Sequence, residues 1–235
     1  MIANTVLAAL EKLANPMDAE FLQRFFKTGE GQYGAGDIFI GVRVPAMRQV
    51  AKQFSALSLA DIELLLESPI HEMRLCAAVI MTEQAKRADE THHKAIMDLY
   101  IRLSDRINNW DIVDVSCREI VGGYIYKHPN EMKTLRRLAK SRSIWERRIA
   151  MVSTWQFIRV GQLDPTFEIA EQLLDDKHDL MHKAVGWMLR EAGKKDPGRL
   201  RTFLTRHIAT IPRTALRYAI ERFDPEERSY FLKLR

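Results

Sequence analysis

INNWDIVDVSCREIVGGYI, residues 107–125, is the stretch whose reading decides the fold. Val113, Cys117, Ile120, Val121 and Tyr124 recur at helical spacing and form an apolar stripe. Trp110, Asp114 and Arg118 follow at four-residue steps beside that stripe. Side chains at i and i+4 point the same way off a helix, so Trp110 and Asp114 form a pair in space, next to the core but not in it.

Four other stretches resemble this one: SPIHEMRLCAAVIMTEQAK (68–86), SIWERRIAMVSTWQFIR (143–159), DLMHKAVGWMLREAGKKDP (179–197) and IPRTALRYAIERFDP (211–225). Each reads as the second helix of a helical pair. Superposing them places Arg74, Asp111, Arg148, Lys183 and Arg213 at equivalent positions, about 30 to 37 residues apart, a helical-repeat period. Strand-like alternation is nearly absent, and short turns such as HPN, LDP and KKDPG separate the units. The expected architecture is all-α: residues 1–235 as a single-domain α-solenoid of HEAT-like antiparallel helix pairs, with equivalent helices lining a concave side. Four of the five equivalent residues are basic, which predicts a basic concave face suited to an extended anion such as a nucleic-acid duplex; a solvated helix face fits the charge pattern as well.

In MHKAVGWMLREAG, residues 181–193, Val185, Met188, Leu189 and Ala192 make the core stripe, while Lys183, Trp187 and Arg190 share another face. Stacked as a solenoid, the chain is expected to set Asp114 and Trp110 facing Trp187, with Arg148 and Arg190 nearby. Asp114 reads either as an ordinary helix acid or salt-bridge partner, or as a carboxylate that stabilises a developing cation. In N-glycosidic cleavage the sugar gains oxocarbenium character, and a fixed anion lowers that barrier.

Composition narrows the alternatives. A chain of 235 residues buries roughly 70% of its surface without staples. Cys76 and Cys117 sit in apolar helical patterns without zinc spacing, which predicts buried, reduced thiols and an intracellular, cytoplasmic protein, nucleoid-associated when bound to DNA. MIANTVLAALEKLANP reads as an amphipathic helix ending before Pro16 rather than a signal peptide, and no apolar run is long enough to span a membrane. The net charge of +5 and pI near 9.2 allow a polyanionic partner.

The literal G-x-G-x-x-G at Gly29, Gly31 and Gly34 lacks the preceding strand of a dinucleotide site, so these glycines are expected to form a mobile loop leading to a helix that starts near Pro45. His178 and His182 have metal-pair spacing but no third ligand, and a solvated or capping role is expected; no metal and no small-molecule cofactor is implied. His92 and His93 diverge on a helix, and neither G-x-S-x-G nor G-K-[ST] occurs.

FIGVRVPAMRQVAK, NNWDIVDVSCREIVGGYIYKHP, SIWERRIAM, HKAVGWMLREAGKKDP and IPRTALRYAIERF together resemble the AlkD-type alkylpurine DNA glycosylases over nearly the whole chain. The resemblance implies a HEAT-like protein that wraps duplex DNA, excises cationic alkylated purines such as 3-methyladenine and 7-methylguanine without flipping the base, and leaves an abasic site. Carried over by position, it makes Asp114 the carboxylate that stabilises the oxocarbenium ion and orients water, and Trp110 and Trp187 the cradle for the deoxyribose. Arg148, Arg190, Lys183 and Arg213 would hold phosphates, and Arg43 would lie on the DNA near the lesion. The implied partner is double-stranded DNA containing alkylated bases, bound by a monomer. Two positions depart from some members: Asn109 stands where they carry a second tryptophan, and Arg43 where they carry glutamine after the GV pair; the GEGQYGAGDIFIGVR loop is also longer. The competing expectations are a non-catalytic scaffold for damaged or distorted DNA and a HEAT-like protein-interaction module.

Overall fold

The structure, a computed structural model, describes residues 2–234. The chain divides into two compact units, the first ending at Ile120 and the second beginning at Val121. The N-terminal unit holds α1 (Ile2–Glu11), α2 (Pro16–Phe25), α3 (Val44–Gln53), α4 (Leu59–Leu66), α5 (His71–Ala85), α6 (Glu90–Arg102) and α7 (Trp110–Cys117). A π-helical turn, Arg118–Gly122, continues α7. The C-terminal unit holds α8 (Gly123–Lys127), α9 (Met132–Ala139), α10 (Ile144–Ser153), α11 (Trp155–Arg159), α12 (Asp164–Gln172), α13 (Asp179–Gly193), α14 (Pro197–His207), α15 (Arg213–Ala219) and α16 (Pro225–Leu234). The only strand-like pairing among the described residues is an isolated parallel bridge between Ile38 and Ile70. The all-α, HEAT-like helix-pair architecture read from the sequence is the one observed.

Local sequence sets the boundaries as expected. Asn15 caps α2 by accepting from the N–H groups of Met17 and Asp18, and Pro16 occupies the first helical position, where its missing N–H costs nothing. Likewise α3 opens with Pro45 in its first turn. The N-terminal unit is organised around α5, which contacts α1, α3, α4, α6 and α7 and buries residues on every side, including Met73, Leu75, Cys76, Val79, Ile80 and Met81. In the C-terminal unit α13 has that place, packed on α10, α12, α14 and α15. Its Gly186 lies against the Ala215 carbonyl and Tyr218, leaving no room for a Cβ, so α13 and α15 pack at unusually close range.

The repeats share a loop latch that the sequence superposition misplaced. Ser68, Ser141 and Asp176 each lie three residues before the start of α5, α10 and α13, and each side chain accepts from the backbone N–H two residues on, at 3.1, 3.0 and 2.9 Å. Six residues after each, inside the first helical turn, Arg74, Arg147 and His182 bond back to the carbonyl of that same loop residue, at 2.8, 2.9 and 2.6 Å. Arg74 therefore corresponds to Arg147 and His182, not to Arg148 and Lys183. The superposition slipped by one residue because apolar spacings of three and four both satisfy a helical stripe, whereas one residue turns a side chain by about 100° around the axis. Nor do the matched residues form a solvent-facing basic row, since Arg74 and Arg148 are only 3% and 5% exposed.

Each latch arginine also reaches forward. Arg74 donates to Asn108, 3.1 Å away, and Arg147 donates to the Asp176 carboxylate at 2.5 and 3.4 Å, tying one loop to the next within its own unit. The Asp176 side chain is 4% exposed, so removing its cation leaves a buried charge without its counter-ion. Arg147→Met is expected to destabilise the C-terminal unit by about 3 kcal/mol, read as a lower urea midpoint with helical content unchanged in the absence of denaturant.

Candidate active site on helix α7

Helix α7 is capped by Asn109, whose side-chain oxygen accepts the Trp110 N–H at 2.9 Å. Asn109 is wholly buried and its amide also donates to Asp37, so the cap of α7 is embedded in the interior. The apolar stripe falls where the sequence put it: Val113, Cys117, Ile120, Val121 and Tyr124 are buried, while Trp110, Asp114 and Arg118 are half-buried.

Trp110 stacks on Phe26 at 5.2 Å between ring centroids and meets the edge of Phe25 at 6.0 Å. Its indole N–H donates to the Tyr33 hydroxyl at 3.3 Å. Tyr33 belongs to the glycine-rich loop, whose Gly31 and Gly36 adopt positive φ, so the segment set aside as a false dinucleotide motif contributes a contact to the indole. Beneath the helix, the fully buried Tyr100 shares a 2.7 Å hydrogen bond with Ser116. Burial foremost, and then the negative potential of neighbours including Asp114, hold the Tyr100 phenol protonated. The charge of Asp114 thus acts on this buried hydroxyl.

Asp111, one residue into the same helix, has a different environment. Its carboxylate lies 2.8 Å from His71 Nε2, and His71 Nδ1 lies 3.3 Å from Asp37. Asp37 also accepts from Arg74 at 2.6 Å and Asn108 at 3.2 Å. Two carboxylates and two cations therefore meet in the interior, His71 at 1% and Arg74 at 3% exposure. Burial pulls the imidazolium down, but the Asp111 carboxylate and then Asp37 outweigh it and raise His71 to about 9. Burial likewise disfavours an ionised Asp37, yet His71 and Arg74 hold its carboxyl below its ordinary value. Neither His71 nor Asp37 stood out in the sequence; a histidine in the first turn after the SPI turn was the one available signal.

In the C-terminal unit Trp187 is half-buried and meets the edge of Trp155 at 5.2 Å. Arg148 donates to the Leu180 carbonyl at 2.7 Å and so holds the first turn of α13. Lys183 pairs with Asp179 at 2.7 Å. Arg190 bridges Glu191 and Glu221, and Arg213 donates to the Leu232 carbonyl at 2.8 Å. In the N-terminal unit Arg43 pairs with Asp18 and covers the Phe21 ring at 5.7 Å. All five cations expected on phosphate thus already have acceptors in the free chain. His178 caps α13 by accepting from Leu180 N–H at 3.2 Å, and no cluster of three or more metal-ligating side chains occurs among the described residues. Cys76 and Cys117 are buried free thiols, and no described helix is long and apolar enough to cross a membrane.

Comparison with known proteins assigns the chain to a family. The model of the DNA alkylation repair enzymes matches residues 6–223, and the chain belongs to that family. Among solved structures, a protein described as a predicted DNA alkylation repair enzyme from Enterococcus faecalis superposes with a TM-score of 0.72 at 18% identity, over 90% of this chain and 97% of that one. The smu.31 protein of Streptococcus mutans UA159 superposes with a TM-score of 0.54 at 14% identity, over 100% of this chain and 97% of its own. These two likenesses concern the fold alone. No curated protein sequence matches the chain significantly. Family membership supports an enzymatic role in repair of alkylated DNA and implies DNA as the partner.

The sign of the His71 contribution to stability follows from its raised value. The folded protein holds a proton that the unfolded chain releases above 6.5, so the contribution is whole below 6.5, shrinks as pH rises, and is gone above about 9. Across that window the urea midpoint of the wild type should fall more steeply with pH than that of His71→Gln, a difference in slope that denaturation at a series of pH values reads directly.

Proposed function

We propose that the protein is a monofunctional DNA glycosylase that hydrolyses the N-glycosidic bond of cationic alkylated purines in duplex DNA. The observation that carries this reading is the half-buried pair on α7: Trp110 fixed by Phe26 and Tyr33, and Asp114 one turn on, in a chain of the DNA alkylation repair family. The purine is already positively charged and a good leaving group, so the protein's task is to stabilise the cation that grows on the sugar. A half-buried carboxylate does this, and it can also accept a proton from the attacking water. The stacked indole of Trp110 offers its face to the deoxyribose. No lysine is assigned as a Schiff-base nucleophile, so the product is an abasic site.

Of the two acids on α7, Asp111 is engaged by the buried His71, and Asp114 has the catalytic role by its place one turn after Trp110. Lys183, Arg190, Arg213 and Arg43 act on the phosphates by exchanging their present carboxylate or carbonyl partners for DNA, while Arg148 works chiefly by fixing the first turn of α13. Since charge released to phosphate displaces counter-ions, affinity should fall steeply with salt.

Asp114→Asn tests the reading. It should lower single-turnover release of 3-methyladenine and 7-methylguanine by about a hundredfold or more while duplex affinity stays near the wild-type value. Release unchanged in the variant would remove Asp114 from the mechanism. Tight, salt-sensitive binding by a wild type that releases no base would instead establish the non-catalytic scaffold.

A further inference from the structure

We propose that Asp37, His71 and Asp111 form a positioning relay for α7: the imidazole donates from both ring nitrogens and draws the Asp111 carboxylate inward, so that Asp114 alone faces the damaged nucleotide. The proposal rests on the reading of Asp114 as the excision carboxylate and names the device that holds it in place.

Geometry requires both N–H groups. Each ring nitrogen faces a carboxylate oxygen, Nδ1 toward Asp37 and Nε2 toward Asp111, and an ionised carboxylate only accepts hydrogen bonds. A neutral imidazole would set a lone pair against one of those oxygens. The anchor end is fixed independently, since Asp37 is held by Arg74, Asn108 and Asn109. The delivery end is a carboxylate on the first turn of α7, three residues before Asp114.

A second connection runs in parallel. The imidazole stacks on Phe39 at 4.4 Å and lies 5.2 Å from Phe26, whose ring stacks on Trp110. One histidine therefore reaches α7 twice, by a charge-assisted hydrogen bond to Asp111 and by ring contact through Phe26 to Trp110. The charged groups around it are Asp37 from the loop, Asp111 from α7 and Arg74 from its own helix, with Arg106 acting on Arg74. Its neighbour Glu72 is committed elsewhere, accepting from the N–H groups of Ile40, Gly41 and Val42.

An Asp111 freed from this clamp would add its negative charge beside Asp114 and blur the field at the sugar.

The test uses the full chain and four proteins: wild type, His71→Gln, Asp111→Asn and the double variant, each confirmed as folded by circular dichroism. His71→Gln should slow single-turnover release of 7-methylguanine about tenfold or more with duplex affinity changed less than roughly twofold, the signature of a displaced catalytic group. The double variant should recover most of the lost rate, because the stranded carboxylate is gone; a purely structural histidine would give no such rescue. Wild-type release by His71→Gln, or a double variant as slow as the single one, overturns the relay. A readout independent of excision is 15N NMR of the imidazole at neutral pH, where both nitrogens should carry protons, together with the Trp110 indole N–H signal, which should move in His71→Gln. A bare ring nitrogen or an unmoved indole signal overturns the relay even if excision proceeds. Loss of release in the wild type itself would instead defeat the glycosylase reading and leave the NMR result to decide the relay.

Discussion

A histidine held between two aspartates is the interaction on which the N-terminal unit depends. His71 opens α5, Asp37 belongs to the loop before α3, and Asp111 belongs to α7, so one buried imidazolium joins three segments that are otherwise far apart in sequence. Charges this deep are tolerable only when they balance, and Arg74 completes a set of two cations and two anions. Removal of any one member leaves a charge stranded. The position of α7, and with it the face that carries Trp110 and Asp114, is therefore set by electrostatic closure as much as by apolar packing.

The loop latches extend the same logic along the chain. In each, a loop side chain satisfies the turn and a side chain from the following helix closes back on the loop carbonyl. The chemistry of the closing residue varies, arginine twice and histidine once, while the geometry is kept. The starts of α5, α10 and α13 are thereby held without relying on helix propensity. Where the latch is absent, another device serves: Asn109 caps α7, and Pro212 precedes α15.

Helices, their core stripes and the pairing of Trp110 with Asp114 were legible in the sequence because each depends on spacings within one helix. Val185, Met188, Leu189 and Ala192 are buried and Trp187 is half-buried for the same reason. Relations across helices were not legible. Register between repeats slipped by one residue, since an apolar stripe does not distinguish a three-residue step from a four-residue step. The relay was hidden by separation, Asp37 and Asp111 lying 34 and 40 residues from His71. Counting cations likewise said nothing of their partners: Arg43 finds Asp18, and Arg190 finds Glu221, 25 and 31 residues away.

Glu72 fastens the loop before α3 in a way that leaves most of its composition free. Its carboxylate, 1% exposed, accepts only from the main chain at Ile40, Gly41 and Val42. Every amino acid except proline presents that same N–H, so evolutionary drift in these side chains does not unfasten the loop from α5. Gly41 is the exception, held at φ +83 against the Asn15 carbonyl with no room for a Cβ. Such an attachment separates the holding of a loop from what the loop displays, so that new side chains can be sampled there while the clasp on α5 persists.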